Sequence, residues 1–255
     1  MNVVVCVKQI PDPANPGRLD PEAKTLLRQG KLILDDSDAY GVEMALQLVD
    51  AAGGGEVTLV SMAPHNEVSG LRTALAMGAS KALLVSDDQL QGADALTTAK
   101  VLAAAIRRTD ADLVLAATES TDGYTGTTPV QVAELLGLPS VTFAKRIECD
   151  GSTVRVERQT EAGFDEVECP LPAVVTVTAG VVEPRYPSFK GIMAAKSKSI
   201  EQLTVADLGL DGSLRVGQEV TDVAAAEERQ AGEIVQDEGN AHHRIIQLLD
   251  RLKVI

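Results

Sequence analysis

The 255-residue sequence is poor in aromatic rings, with three Phe, three Tyr and no Trp, 2% of the chain. It is also short of positive charge, since 23 Lys and Arg stand against 37 Asp and Glu for a net charge of −14. Nucleic-acid binders need a basic face to displace counterions from phosphates, and single-strand binders add aromatic platforms for bases. The chain has neither, so nucleic acid is excluded as a partner. Three cysteines at wide spacing, Cys6, Cys149 and Cys169, with no C-x-x-C, provide neither a disulfide framework nor a zinc site. They read as small buried hydrophobes. No apolar run approaches the roughly 18 to 20 residues of a membrane span. The opening MNVVVCVKQI lacks the basic start of a leader and reads as a first strand, with the cytoplasm as the default location.

What is present is aliphatic. Hydrophobic residues make up 45% of the chain, enough for a core of Ala, Val, Leu and Ile. The first part alternates strand and helix patterns: strands at Asn2 to Val7, Glu56 to Met62, Lys81 to Val85 and Asp112 to Ala117, and helices at Asp38 to Val49, Val68 to Met77, Ala93 to Arg108 and Val130 to Leu136. Asp35, Asp36 and Ser37 are capping candidates for the first helix, and Gly78 closes the second. This order predicts an α/β, doubly wound, mostly parallel sheet of the Rossmann-like kind. After Pro139 the pattern changes. Ser140 to Ile147, Ser152 to Gln159, Asp165 to Glu168 and Ala173 to Thr178 are strand candidates without long helices between them, read as hairpins that extend or flank the sheet. Beyond Lys196 the chain is polar and loosely patterned until a periodic helix at His242 to Leu252. The expected division is an α/β domain over 1–198 and, over 199–255, a C-terminal arm whose terminal helix wraps a partner.

In open α/β sheets, ligands bind beyond the carboxyl ends of the strands, where strand order switches. The segment leaving the fourth strand, Ala117 to Pro129 (ATESTDGYTGTTP), is longer than the usual βα loop. Gly123 and Gly126 allow close backbone approach, and Thr125, Thr127 and Thr128 offer hydroxyls and helix-start amides to an anion such as a nucleotide phosphate. On local sequence alone a capped turn explains the same residues equally well; length and position favour the binding site. Catalytic patterns are missing. His65, His242 and His243 have no metal-ligand spacing, no nucleophile motif is present, and Glu161, Asp165, Glu166 and Glu168 fit a solvated acidic turn. The stretch Glu183 to Lys198 (EPRYPSFKGIMAAKSK) puts one Phe and one Tyr among basic residues of an acidic chain. It fits a docking loop built on Arg185, Tyr186, Phe189, Ile192 and Met193, and equally a clasp in which Phe189 and Met193 pin an extension to the sheet.

Several of these stretches together carry a resemblance. Val156 to Thr176 (VERQTEAGFDEVECPLPAVVT), Glu183 to Lys196, Val5 to Lys8 (VCVK), Arg72 to Ala79 (RTALAMGA) and the S-T-D-G at Ser120 to Gly123 resemble the beta subunit of electron transfer flavoprotein, along essentially the whole chain. The resemblance implies a heterodimer with an alpha subunit that holds most of one FAD, and a structural AMP in the beta subunit. It implies electron carriage from acyl-CoA dehydrogenases and related flavoenzymes of fatty-acid β-oxidation to a membrane quinone oxidoreductase, without bond chemistry in this subunit. Carried over by position, the AMP contacts fall at Cys6, at Asp35 to Asp38, at Met62, and from Ala117 to Thr128, taking in Thr118, Asp122, Gly123, Tyr124, Thr125, Gly126 and Thr127. Phe189 matches the family's hydrophobic docking anchor, usually Leu. The family's Asn-Pro before the first helix is Asp35-Asp36 here, which sets negative charge near a proposed anion and costs binding unless that charge is turned away. Family members that bifurcate electrons take a second FAD in place of AMP. A stand-alone nucleotide sensor of the universal-stress type is the alternative from another class.

Overall fold

The computed structural model describes residues 1–15, 17–28, 31–224, 232, 234–237 and 239–255. A first compact unit runs from Met1 to Val223 and a second from Ala224 to Ile255. In the first, β1 (Asn2–Cys6) is followed by the short strands β2 (Gln9–Pro11), β3 (Leu19–Asp20), β4 (Thr25–Leu26) and β5 (Leu32–Leu34), then α1 (Asp36–Ala51). The α/β alternation continues through β6 (Glu56–Met62), α2 (Ser69–Met77), β7 (Lys81–Val85), α3 (Ala95–Ile106), β8 (Leu113–Ala117) and α4 (Thr128–Leu136). Next come β9 (Ser140–Cys149), β10 (Thr153–Thr160), β11 (Gly163–Pro170), β12 (Ala173–Val177), α5 (Phe189–Ala195) and β13 (Ile200–Leu203). The second unit carries α6 (Ala241–Arg251), one residue ahead of the expected terminal helix; part of the stretch Thr221 to Asn240 lies outside the described residues.

One nine-stranded sheet, in the order β11-β10-β9-β12-β8-β1-β6-β7-β13, organises the first unit. Neighbours from β9 to β13 across this order are parallel, and β10 and β11 extend the β9 edge antiparallel. The α/β reading is therefore what the structure contains. Successive residues of β1 serve opposite cores: Val3 and Val5 face the cluster holding Val42 of α1 and Leu75 of α2, and Val4 faces the cluster holding Leu102 of α3 and Val132 of α4. Strands covered on both faces carry near-continuous apolar runs, which is why β1 and β8 are legible; β6 keeps the pattern with Thr58 and Ser61 buried inside it. Helix ends follow the local chemistry. Asp35 accepts from the Ser37 amide at 3.0 Å, Asp94 accepts from the Thr97 amide at 2.7 Å, and Gly78 ends α2 at φ +148°.

Three features differ from the sequence expectation. β9 and β12 are not hairpin partners; they run parallel to each other, and within the nine-stranded sheet only β9–β10 and β10–β11 are antiparallel. β12 enters between β8 and β9, an order that no local pattern encodes. β13 lies past residue 198 and pairs with β7, although only Leu203 of its four residues is buried. An edge strand needs ladder partners more than an apolar face, so its composition stays polar. The connection from β1 to α1 also forms two small antiparallel pairs, β2–β5 and β3–β4. No described helix is long and apolar enough to cross a membrane.

Candidate functional site

The chain leaves β1 toward β6 and β7 on one side, then returns through α3 to β8 on the other. The order reverses between β1 and β8, and a crevice opens beyond the carboxyl ends of two strands whose connections diverge in this way. The structure brings the expected residues to that end of the sheet. Cys6, Met62 and Ala117 are the last residues of β1, β6 and β8, Asp35 caps α1, and Asp38 lies in its first turn. The segment from Thr118 to Thr127 connects β8 to α4. A small apolar cavity of about 30 Å³ lies there, lined by Cys6, Ala116, Thr128 and Pro129 among others.

The segment is held by four charged side chains. Asp122 pairs with Lys8, Nζ to Oδ1 at 2.6 Å, and with Arg28 on its other oxygen, while Lys8 also reaches Ser120 Oγ at 3.1 Å. Burial pulls the Asp122 carboxyl up, but the bonds and charges of Lys8 and Arg28 outweigh it and hold the group below its ordinary value. The Asp35 Oδ2 accepts from Thr121 twice, from the amide at 2.8 Å and the hydroxyl at 3.1 Å. Because its Oδ1 accepts from Ser37, both oxygens of this 0%-exposed carboxylate are occupied. The Asp35 carboxylate is thus engaged by the helix cap on one oxygen and by the loop on the other, and Asp36 is exposed.

Asp38 closes the corner. Its Oδ2 accepts from the Lys8 amide at 2.6 Å. Burial, followed by the charge of Asp35, pushes its carboxyl well above the ordinary range against the opposing pull of the Lys8 and Ala117 amides. Burial and the Asp38 charge in turn push the Cys6 thiol up to about 12. Inside the loop, Tyr124 (φ +48°) and Gly126 (φ +68°) adopt left-handed backbone, and the Tyr124 amide bonds Ser120 O at 3.0 Å. Residues 123–127 are exposed. Thr127 precedes α4 without a side-chain capping bond, which leaves the Thr128 and Val130 amides of the first turn without a capping acceptor from it. The site offers backbone donors, small residues and an apolar floor, the requirements of a nucleotide with a phosphate tail. No group of three or more potential metal ligands occurs among the described residues.

Comparison with known proteins decides the family. Residues 24–208 match the model of the electron transfer flavoprotein domain. The chain is 39% identical to electron transfer flavoprotein subunit beta of Mycobacterium bovis over 100% of its own length and 99% of that protein. It belongs to the electron transfer flavoprotein beta-subunit family. To the subunit beta of Thermoanaerobacterium thermosaccharolyticum it is 37% identical, over 99% of this chain and 98% of the other. To the caffeyl-CoA reductase-Etf complex subunit CarD of Acetobacterium woodii it is 38% identical, over 82% of this chain and 80% of the other. The match runs past the parallel half of the sheet through the segment Glu183 to Lys198, which the universal-stress alternative leaves unexplained.

In this electron transfer flavoprotein subunit the second candidate region begins beyond β12. Tyr186 and Phe189 are 94% and 81% exposed, with Ile192 and Met193 about half exposed beside them. Arg185 differs from these four, because its guanidinium bonds the buried Glu43, Nε to Oε2 at 2.6 Å and Nη2 to Oε1 at 3.0 Å. Lys8 and Arg28, which hold the β8–α4 loop, and Glu43, which holds Arg185, are the residues that sequence reasoning misses. Lys8 has a weak signal in its place directly after the first strand; Arg28 and Glu43 have none.

Proposed function

We propose that this chain is the beta subunit of a heterodimeric electron transfer flavoprotein that binds AMP as a structural ligand at the crevice between β1 and β8. An alpha subunit would hold most of one FAD, and the complex would pass electrons from acyl-CoA dehydrogenases and related flavin dehydrogenases to a membrane quinone oxidoreductase. The observation that supports the nucleotide reading most directly is the meeting of the uncapped start of α4, the exposed Gly123–Thr127 backbone and the apolar cavity beside Cys6 at the switch point. The residues fit the group. The first-turn amides of α4 would take the phosphate, Ala117 and Thr118 would flank the ligand at the end of β8, and Cys6 and Met62 would floor the base. Asp35 and Asp122 hold the loop closed around it. Bound ligand would stabilise the fold by mass action.

FAD, when bound, supplies reversible one-electron carriage between donor and acceptor. This chain's residues would complete the wall around it and exclude water, and no residue here takes part in bond making. Tyr186, Phe189, Ile192 and Met193 would dock the electron donor, with the Phe189 ring as anchor. The acidic and terminal segment, with α6, would wrap the alpha subunit; Ile245, Ile246 and Leu248 on α6 and Leu252 just after it are exposed, in support of that role. A second reading, a bifurcating complex with a second FAD in place of AMP, is favoured by the likeness to a subunit of the caffeyl-CoA reductase-Etf complex. Mass spectrometry of ligands released from the purified heterodimer tests both: AMP with one FAD supports the first, two FAD the second, and no adenine nucleotide in this subunit refutes both.

A further inference from the structure

The four exposed apolar side chains from Tyr186 to Met193 bury little in this chain, so their packing does not fix where they stand. Something else must. On the far side of α5, Arg72 bonds Ala195 O at 2.5 Å and Lys198 O at 2.8 Å, and Lys198 Nζ bonds Leu75 O at 2.8 Å and Ala79 O at 2.6 Å. Gly191 lies so close to α2 that a Cβ there would meet Ala76 O at 2.3 Å. The near side is held by one residue of α1. Glu43 is 3% exposed, and its carboxylate takes Arg185 by the guanidinium fork and also by the backbone amide at 3.3 Å. Gln47 fills the remaining position on Oε1 at 2.8 Å. Burial pulls the Glu43 carboxyl up, but the Arg185 and Gln47 bonds outweigh it and keep the group below its ordinary value, so it stays charged. A fork plus a main-chain bond to a single carboxylate fixes both the position and the backbone direction of residue 185, which leads directly into Tyr186.

We infer that Glu43 is a positioning residue for electron-donor docking: through Arg185 it presents Tyr186 and Phe189 in their docking geometry. This rests on the docking role given above to the 186–193 surface. A buried carboxylate without a partner is costly, and replacing this pair by apolar residues would serve the core as well. What the ion pair adds is direction for the stretch that leads into α5, where Tyr186 is 94% exposed and has no packing to orient it. Holding the anchor before the encounter removes part of the ordering cost of association. Because Asp35 caps α1 and Glu43 lies in its middle, one helix holds both the β8–α4 loop and the docking segment.

The test uses the flavin-loaded heterodimer and a purified acyl-CoA dehydrogenase as electron donor. Glu43→Gln is expected to raise KM for the dehydrogenase by roughly three- to tenfold, the effect of releasing one or two immobilised side chains, with kcat and flavin content unchanged. Amides of 186–193 should exchange hydrogen faster, and those of β1 and β8 should not. Arg185→Gln reads the same contact from its half-exposed side should Glu43→Gln fold poorly, and Arg185→Lys should recover only part of the effect because it keeps charge and loses the fork. Phe189→Ala separates the two failures. No change in KM for Phe189→Ala removes the docking reading and the inference with it. A raised KM for Phe189→Ala beside unchanged KM and exchange in Glu43→Gln and Arg185→Gln overturns the positioning role alone. Support also requires that Phe189→Ala add less in the Glu43→Gln background than in the unaltered protein.

Discussion

Replacing Asp35 by Asn removes its charge at nearly constant size, and the structure predicts that the change destabilises this chain. The carboxylate has no free face: Oδ1 accepts the Ser37 amide at 3.0 Å, and Oδ2 accepts the Thr121 amide at 2.8 Å and hydroxyl at 3.1 Å. An Asn side chain has one acceptor and one donor end. If its carbonyl faces Ser37, its NH₂ meets the Thr121 N–H; if it faces Thr121, the NH₂ meets the Ser37 N–H. The Thr121 hydroxyl can reverse to accept, but a main-chain N–H cannot. One buried amide loses its acceptor in either rotamer, at a cost of about 1–3 kcal/mol. Asp35→Ala loses the helix cap as well and is expected to cost about 1 kcal/mol more.

Relief of repulsion between Asp35 and Asp38 works in the opposite direction, and pH separates the two effects. Asp38 has a folded-state pKa raised by burial and then by the Asp35 charge. The native state therefore keeps a proton that the unfolded chain releases near pH 4. The stability this contributes is full below that value and is lost as pH rises through the folded pKa. Removing the Asp35 charge shortens that window. Urea midpoints measured at a series of pH values should show Asp35→Asn less stable than the parent at pH 5, with a gap that narrows as pH rises. An Asp35→Asn protein as stable as the parent at pH 5, with unchanged exchange at the Thr121 amide, would refute the assignment of Asp35 as the staple of the loop.

Asp122 predicts the acid side. Its folded pKa is lowered, so the stability it contributes is present above the unfolded carboxylate value and is lost as pH falls through the folded pKa; Asp122→Asn should flatten the stability profile below about pH 4, and an unchanged slope counts against the Lys8–Asp122–Arg28 clasp. Gly191→Ala places a methyl 2.3 Å from Ala76 O and should cost about 1–3 kcal/mol as overpacking, seen as a lower urea midpoint together with faster exchange in 189–195; full stability would place α5 farther from α2 than described here. Cys6, pushed up to about 12 by burial and Asp38, should resist iodoacetamide in the native protein at pH 8.5, where an ordinary thiol is about half ionised. Peptide mapping that finds Cys6 alkylated before unfolding would sink that assignment.

How much of this was legible in the sequence depends on which force placed each residue. β1 and β8 are covered on both faces, so burial wrote continuous apolar runs that local reading recovers; β13, on an edge, kept Glu201 and Gln202 exposed and left no such run. The β8–α4 segment announced itself by length and by its Gly and Thr content. The contacts that shape it did not, because Lys8 and Asp122 are 114 residues apart and Asp35 and Thr121 are 86 apart, and no periodicity links them. Asp35 shows the consequence. From sequence it is a negative charge beside an anion site; in the fold its charge is spent on a helix cap and a loop staple, and only the identity of the facing donors distinguishes the two. Arg185 reverses in the same way, from a member of a basic docking rim to the fork on Glu43, 142 residues away. Both reversals involve charged residues near the site, and neither hydrophobic pattern nor local spacing carries information about a charge's partner. Composition can therefore locate a functional region, as the aromatic and basic 183–198 stretch did, while leaving open which of its charges meet solvent and which hold the scaffold. In that stretch the division falls between adjacent residues: Arg185 turns its guanidinium onto the buried Glu43, and Tyr186 is 94% exposed.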